Sequence, residues 1–140
     1  MSDRVKAEQR SRMMAAVRGV DTSPELYVRR HLYAEGFRYR VHLRGLPGRP
    51  DVGLRKFGIV VFVHGCFWHG HSCVRGRRPT SNAAFWNAKI DGNISRDKRN
   101  MRALRSLGWS PMVIWECRLE ASTRRLLERL RQLRHDGTQG

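Results

Sequence analysis

Hydrophobic residues in the first quarter of the chain recur at helical spacing and predict two helices. Residues 1–20 are polar and basic, with apolar positions that fit one face of a helix. The second helix has Thr22 or Ser23 as its cap and Pro24 at its first position, and it ends at Gly36.

After Gly36 the spacing changes to the two-residue alternation that is typical of strands. Residues 37–42 alternate apolar and basic side chains and predict a first strand. A turn-rich segment leads to a short strand at 51–54, and residues 57–63 predict a buried strand rich in β-branched side chains. Residues 64–82 are irregular and rich in His, Cys and Arg.

Helical spacing returns at residues 83–90 and, more clearly, at 96–107. Residues 109–116 predict a last buried strand, and the leucines of 123–134 predict an amphipathic closing helix. The order helix, three strands, helix, strand, helix predicts an α/β fold with one central mixed β-sheet flanked by helices.

The length of 140 residues fits a single domain with one core. Within it, we expect residues 1–20 to form an N-terminal helix and residues 121–140 a C-terminal amphipathic helix and tail. The longest apolar run, residues 59–63, is far shorter than the ~18–20 residues of a membrane span. The N-terminal segment lacks the apolar centre of a secretory signal, so we expect a cytoplasmic protein with no membrane partner.

Charge indicates a polyanionic partner. The chain has 28 Lys and Arg against 12 Asp and Glu, a formal net charge of +16. Most of this charge is Arg, and drift in a GC-rich genome explains part of the excess. Basic residues nevertheless recur along the whole chain, which favours a nucleic acid, because each neutralised phosphate releases counterions.

The three cysteines indicate a metal site. An odd number argues against a disulfide framework. Cys66, His71, Cys73 and Cys117 supply the four N and S ligands of a closed structural zinc site and use every cysteine present. If residues 57–63 and 109–116 are neighbouring strands, the first three ligands lie beside the fourth. Two alternatives are unrelated buried cysteines with surface histidines, and a catalytic zinc that uses His64 or His69.

Asp51 and the remaining histidines suggest phosphodiester chemistry. A carboxylate at the mouth of a sheet can hold a hard cation such as Mg²⁺, and a nearby base must take a proton from the attacking water. Asp51 is the candidate carboxylate, Glu25 a second acid, and His64 and His69 have the ordinary pKa for proton transfer near neutral pH. In isolation, Asp51 also fits a structural turn, and Glu25 fits a charge favoured at a helix N-terminus.

Several motifs together resemble the very short patch repair (Vsr) endonucleases. The most specific are LPGRPD at 46–51 and VFVHGCFWHGHSC at 61–73. The resemblance covers roughly residues 8–120. The further matching stretches are RSRMMAAVR at 10–18, DTSPE at 21–25, FWNAKI at 85–90, NISRDKR at 93–99, LGW at 107–109 and VIWEC at 113–117.

This resemblance implies a restriction-endonuclease-like fold and an enzyme of DNA repair. Vsr endonucleases nick one strand of duplex DNA next to a T:G mismatch, which arises when 5-methylcytosine deaminates. They depend on Mg²⁺, contain a structural Zn²⁺ and work beside a cytosine methyltransferase. We therefore expect a bacterial monomer that acts at the nucleoid on mismatched DNA, with mismatch-repair proteins such as MutL as further partners.

The resemblance also implies residue roles. Asp51 and the backbone carbonyl of Val63 match the Mg²⁺ ligands, and Glu25 matches an acid that binds metal-coordinated water. His69 matches the general base, and Asp97 an acid that orients a histidine. The catalytic positions implied are thus Asp51, His64, His69, Glu25 and Asp97. The zinc ligands implied are Cys66, His71, Cys73 and Cys117.

Aromatic residues gain a DNA-binding role by the same resemblance. Phe67, Trp68 and Trp86 match side chains that wedge into the base stack beside the mismatch from the major groove, and Met14 presses from the minor-groove side. Unstacking costs least at a mispaired step. From the residues alone, Trp86 fits core packing and Met14 has no evident role.

The chain departs from expected patterns at a few positions. The strand before His64 has no acid-x-Lys motif, Val63 replaces a Thr, and Gly70 replaces a histidine. The Arg-rich insert at 74–78 and the closing helix leave the preferred flanking sequence open. Two further hypotheses are a zinc-stabilised restriction-type nuclease that cuts both strands and a non-catalytic DNA-binding module.

Overall fold

A computed structural model describes residues 22–139 of the chain, with the side chains of residues 138 and 139 left out. Four strands and three α-helices alternate in the predicted order. They are α1 (Ser23–Ala34), β1 (Arg40–Val41), β2 (Val52–Leu54), β3 (Ile59–His64), α2 (Ala83–Ser106), β4 (Ser110–Trp115) and α3 (Leu119–Gln139). Short 3-10 helices span Arg55–Phe57, Val74–Gly76 and Glu116–Arg118. The predicted helix at 1–20, with Met14, lies outside the described residues.

The four strands form one mixed sheet in the order β1-β2-β3-β4, which confirms the predicted mixed α/β arrangement. β1 and β2, and β2 and β3, are antiparallel, whereas β3 and β4 are parallel. The register pairs His64 with Trp115 and Val61 with Val52. The end of β3, the end of β4 and the start of β2 therefore meet at one end of the sheet.

Helices cover both faces of the sheet. On one face, α1 and α3 bury apolar side chains such as Leu32 and Leu130 against Val61 of β3. On the other face, Leu104 of α2 packs on Val60 and Phe62. Alternate side chains of β3 therefore pack into two separate hydrophobic clusters, one on each face of the sheet. This explains why successive residues of the strand are apolar.

Local signals fix the start of α1. Thr22 is the N-cap, with its hydroxyl accepting from the Glu25 backbone N–H, and Pro24 lies in the first turn. At the other end the Phe37 backbone N–H donates to the Leu32 carbonyl. This turn brings Phe37 into the core and leaves only Arg40–Val41 in strand conformation, so the predicted strand at 37–42 was too long.

Two other boundaries differ from the prediction. Residues 55–57 form a 3-10 turn that Gly58 ends at φ 66°, so the buried strand begins at Ile59. The stretches predicted at 83–90 and 96–107 are one continuous helix. Gly92 costs only about 1 kcal/mol in a helix, and burial of Ile90 and Leu104 on either side outweighs it.

The closing helix is longer than predicted, running over Leu119–Gln139 where the leucines indicated 123–134. Polar residues at both ends extend a helix whose middle is anchored by Leu126 and Leu130. Among the described residues, no helix has the length and hydropathy needed to cross a membrane.

Candidate active site and metal cluster

The four side chains predicted as zinc ligands lie together. Their donor atoms are all within 4.8 Å of one another, and Cys117 Sγ lies 3.5 Å from His71 Nδ1. The other two members are Cys66 and Cys73. Three soft sulfurs and one imidazole nitrogen in so compact a group are the donor set that Zn²⁺ prefers. The cluster therefore fits a structural zinc ion.

Backbone contacts shape the loop that presents these ligands. The Cys66 backbone N–H donates to Glu116 Oε1 at 3.2 Å, and the His71 backbone N–H donates to the Cys66 carbonyl at 3.0 Å. A Cβ on Gly76 would lie only 1.9 Å from the His71 carbonyl oxygen. The chain can fold back over the cluster only because this position is glycine.

The thiols differ in acidity. Burial raises the pKa of Cys66 to about 12. Burial acts in the same direction on Cys73, but hydrogen bonds from His71 and Cys66 outweigh it and lower the pKa of Cys73 to about 6. The lowered pKa favours the thiolate form of Cys73 near neutral pH, which is the form that binds a cation.

The two histidines predicted for catalysis form a stacked pair. The rings of His64 and His69 are parallel within 1°, with centroids 3.7 Å apart. His69 Nδ1 lies 2.6 Å from Asp97 Oδ2, which links the predicted orienting acid to the predicted base. Burial, followed by the neighbouring His69, lowers the pKa of His64 to about 4, so this ring is neutral.

The donor atoms of His64, His69 and Asp97 also lie within 4.8 Å of one another, a spacing that a metal site can have. The 2.6 Å contact of Asp97 with His69 is, however, the length of a short charge-assisted hydrogen bond. It engages the carboxylate with Nδ1 of the imidazole and leaves Nε2 of His69 without contact to Asp97.

The two predicted acids are also neighbours. Asp51 and Glu25 share a hydrogen bond, and the Val63 backbone N–H donates to Asp51 Oδ2 at 2.6 Å. Burial is the largest cause that raises the pKa of Asp51, with Glu25 adding to it, and the result is about 7. The two carboxyl groups, Glu25 buried and Asp51 partly buried, offer hard oxygen donors of the kind that a divalent cation prefers, and Arg29 pairs with Glu25 at 3.2 Å.

Trp115 joins the metal cluster to the histidine pair, a role that the sequence did not suggest. Its ring stacks on His71 at 4.1 Å and meets the edge of His64 at 5.2 Å. Its position two residues before Cys117 was the available signal, but Trp115 reaches His64 only because β3 and β4 are adjacent and in register.

The predicted aromatic residues form one cluster beside the histidines. The rings of Phe67, Trp68 and Trp86 have centroids 5.1–6.0 Å apart, and Trp68 is 40% exposed. Asn93 donates to the Trp68 carbonyl at 2.9 Å and holds this loop against α2. Phe85, 60% exposed and 5.2 Å from Trp86, extends the same surface and was not predicted.

The sequence is similar along most of its length to known proteins. Residues 2–75 match the family model described as DNA mismatch endonuclease Vsr. A type II nicking enzyme of Xanthomonas oryzae, V.XorIIP, is 42% identical over 134 residues, covering 91% of this chain and 98% of the relative. A second nicking enzyme, V.NmeAIP of Neisseria meningitidis, is 43% identical and covers 93% and 94%.

A third relative, the DNA mismatch endonuclease Vsr of Escherichia coli, is 38% identical over 136 residues, which cover 91% of this chain and 87% of that enzyme. Similarity at this level along nearly the whole chain confirms the family that the motifs indicated. This chain belongs to the Vsr family of DNA mismatch endonucleases.

Proposed function

We propose that this protein is a Mg²⁺-dependent endonuclease that nicks one strand of duplex DNA next to a T:G mismatch formed by deamination of 5-methylcytosine. One observation carries the proposal. Asp51 directly precedes β2, His64 ends β3, and His69 and Trp68 lie in the loop after β3, so these residues come together at one end of the sheet. The names of the relatives, a mismatch endonuclease and nicking enzymes, support the same activity.

Asp51 would hold the cation, with the backbone carbonyl of Val63 as a further oxygen ligand and Glu25 binding water of the cation. Bound Mg²⁺ supplies positive charge that stabilises the charge developing on the scissile phosphate. His69, oriented through Nδ1 by Asp97, takes the proton of the attacking water. His64, which burial keeps neutral, stacks on a face of the His69 ring and supports it there.

The aromatic cluster of Phe67, Trp68 and Trp86 would read the mismatch. The exposed ring of Trp68, backed by Phe67 and Trp86, can enter a base stack, and the unstacking costs least where pairing is already defective. The Asn93 contact and the metal cluster hold this loop in place. We also propose Met14 as the contact on the minor-groove side.

The metal cluster would bind Zn²⁺ in a structural role within a restriction-endonuclease-like fold formed by a single domain of residues 1–140. The four ligands come from the loop after β3 and from the segment after β4, so the ion would fasten that loop to the sheet. We further propose that the protein acts as a monomer in the bacterial cytoplasm at the nucleoid, with stimulation by MutL homologues.

A nicking assay tests the activity. Labelled duplexes that differ only in one pair, T:G, T:A or C:G, are incubated with the protein with and without Mg²⁺, and the products are resolved under denaturing conditions. We expect a single nick in the T:G duplex with Mg²⁺ only. Equal cutting of all three duplexes would contradict mismatch recognition, and cuts in both strands would favour a restriction-type nuclease.

Asp51→Ala and Asp91→Ala provide the matched pair of variants. Asp91 is exposed on α2 and pairs with Arg78 at 2.8 Å. We expect Asp51→Ala to bind the T:G duplex but not cut it, and Asp91→Ala to retain cutting. If Asp51→Ala cuts at the wild-type rate, Asp51 has no catalytic role, and a wild type that binds without cutting would indicate a DNA-binding module.

A further inference from the structure

A basic groove lies at the end of the sheet opposite to Asp51. It has a volume of about 1110 Å³ and runs between the end of α1, the strands β1 and β2 and the C-terminal half of α3. α1 begins near Asp51 with Glu25 and ends at the groove, and its 12 residues span about 18 Å at 1.5 Å per residue. The groove is therefore a separate feature from the proposed active site.

The groove has a strongly positive lining. Five of its side chains are cationic and none is acidic: Arg38, Arg40, Arg55, Lys56 and Arg134. The nearest described carboxylate along the chain, Glu35, is bound by Arg131 through contacts of 2.5 and 2.7 Å. This arrangement leaves the groove with an excess of positive charge.

Aromatic rings lie among these cations. Phe37 and Phe57 meet edge to face at 5.8 Å, with the Arg134 guanidinium 4.3 Å from the Phe37 ring. Tyr33, on the rim, is 79% exposed, and Tyr39 also lines the groove. Phe37 is buried under Arg134, so Tyr33 is the exposed ring that could contact a base, while the cations could contact the phosphates of a nucleic acid strand.

We propose that this groove binds single-stranded DNA as a second nucleic-acid site. The positive lining complements a phosphate backbone, and the exposed ring of Tyr33 offers a surface on which an unpaired base can stack. A duplex hides its bases and cannot use that ring, and an acidic peptide would not need it. The idea that this strand comes from the nicked duplex rests on the proposed function. The binding of single-stranded DNA in the groove does not rest on it.

Fluorescence anisotropy with a labelled 12-mer of dT and the full chain tests the site without any cleavage. We expect the double variant Arg55→Glu/Lys56→Glu to weaken binding by about tenfold or more. The charge-matched control Arg124→Glu/Arg125→Glu, on an exposed part of α3, should weaken it by less than about threefold. Tyr33→Ala should weaken it by about fivefold or more, with Tyr33→Phe close to wild type.

Two controls accompany the measurement. Melting curves must show that each variant is folded, and an unlabelled T:G duplex must not displace the strand. Equal losses in the two double variants would overturn the proposal, as would displacement by the duplex. A groove that binds a polyglutamate peptide or a paired 12-mer as tightly as dT would also overturn it.

Discussion

His69 is positioned by two contacts that act on different parts of its ring. Asp97 accepts from Nδ1 at 2.6 Å, and His64 stacks on the ring face at 3.7 Å. Because burial keeps the pKa of His64 near 4, the stack does not place two positive rings together when His69 takes up a proton. Asp97 thus fixes the orientation of the His69 ring, while the His64 ring that packs on it stays neutral.

Asp97→Asn should slow nicking by about 10²–10⁴-fold, because the amide no longer stabilises the protonated His69 ring. The affinity for a T:G duplex should remain within about twofold. The measurement is a single-turnover nicking rate beside an anisotropy titration. Asp91→Asn, on the same helix, serves as the control, and an equal rate loss in both variants would contradict the role of Asp97.

Trp115→Leu should slow nicking by about tenfold and lower the melting temperature, because it removes the ring between His71 and His64. Trp115→Phe retains a ring and should recover most of both losses. Since Trp115 would not touch DNA, the affinity for the duplex should not change. A variant with normal rate and weakened binding would contradict this positioning role.

At the scale of elements, the metal cluster joins the irregular loop after β3 to the 3-10 helix after β4. The loop has little apolar core of its own, apart from Cys66, so metal ligation would supply its rigidity. The same ligation would hold Phe67 and Trp68, which lie between the ligands Cys66 and His71.

Cys117→Ser should reduce bound zinc to well below one ion per chain and should lower the melting temperature markedly, since one of four ligands is lost. Elemental analysis and thermal melting measure the two effects. Ser72→Ala, an exposed change in the same loop, is the control. An unchanged metal content and melting temperature in Cys117→Ser would show that the cluster has no structural zinc.

A second contact between elements is the ion pair of Glu35, at the C-terminal end of α1, with Arg131 of α3. The Arg131 hydrogen bonds hold the pKa of Glu35 below its usual value of 4.5. The folded state therefore binds the Glu35 proton more weakly than the unfolded state. The stabilisation is present above pH 4.5 and is lost as the pH falls through the lowered value.

Glu35→Gln should lower the free energy of unfolding by about 0.2–1 kcal/mol at pH 7, because the pair is partly exposed. The difference from wild type should shrink as the pH falls below 4.5 and vanish once the pH is below the lowered pKa of Glu35. Denaturant titrations at several pH values measure it. A difference that stays constant across that range would contradict the ion pair as its cause.

At the scale of the whole molecule, a net charge of +16 on 140 residues gives binding to DNA a large electrostatic component. The basic groove and the proposed active site lie at opposite ends of the sheet, so positive charge is available to nucleic acid on more than one surface. If the aromatic cluster reads the mismatch as proposed, affinity would come mainly from charge and mismatch selectivity from the aromatic cluster.

Binding to a T:G duplex should weaken by about 10³-fold between ~50 and ~200 mM salt, as expected if about six phosphates are neutralised. The ratio of affinities for T:G and T:A duplexes should change much less over this range. Anisotropy titrations at four salt concentrations measure both quantities. A loss of less than about fivefold would contradict the electrostatic origin of the affinity.

Several features could be predicted because they depend on neighbouring residues. The cap at Thr22, the buried β-branched strand and the ligand spacing around Cys66 are local, and their chemistry does not depend on distant segments. The ends of helices and strands could be predicted less closely, because tertiary packing decides where each element begins and ends. Burial of Phe37 shortened β1, and burial on both sides of Gly92 joined two predicted helices into α2.

The sequence by itself determined the order of elements, the four candidate zinc ligands, the acids and histidines and the family. Only the tertiary structure decided how they meet. The Asp51–Glu25 pair and the His64–His69 stack depend on how α1, β2 and the loop after β3 pack together. Trp115 contacts both His64 and His71 because β3 and β4 are adjacent and in register. The basic groove likewise requires α1, β2 and α3 to converge. These contacts join residues far apart in the chain, whose approach depends on packing and not on local spacing.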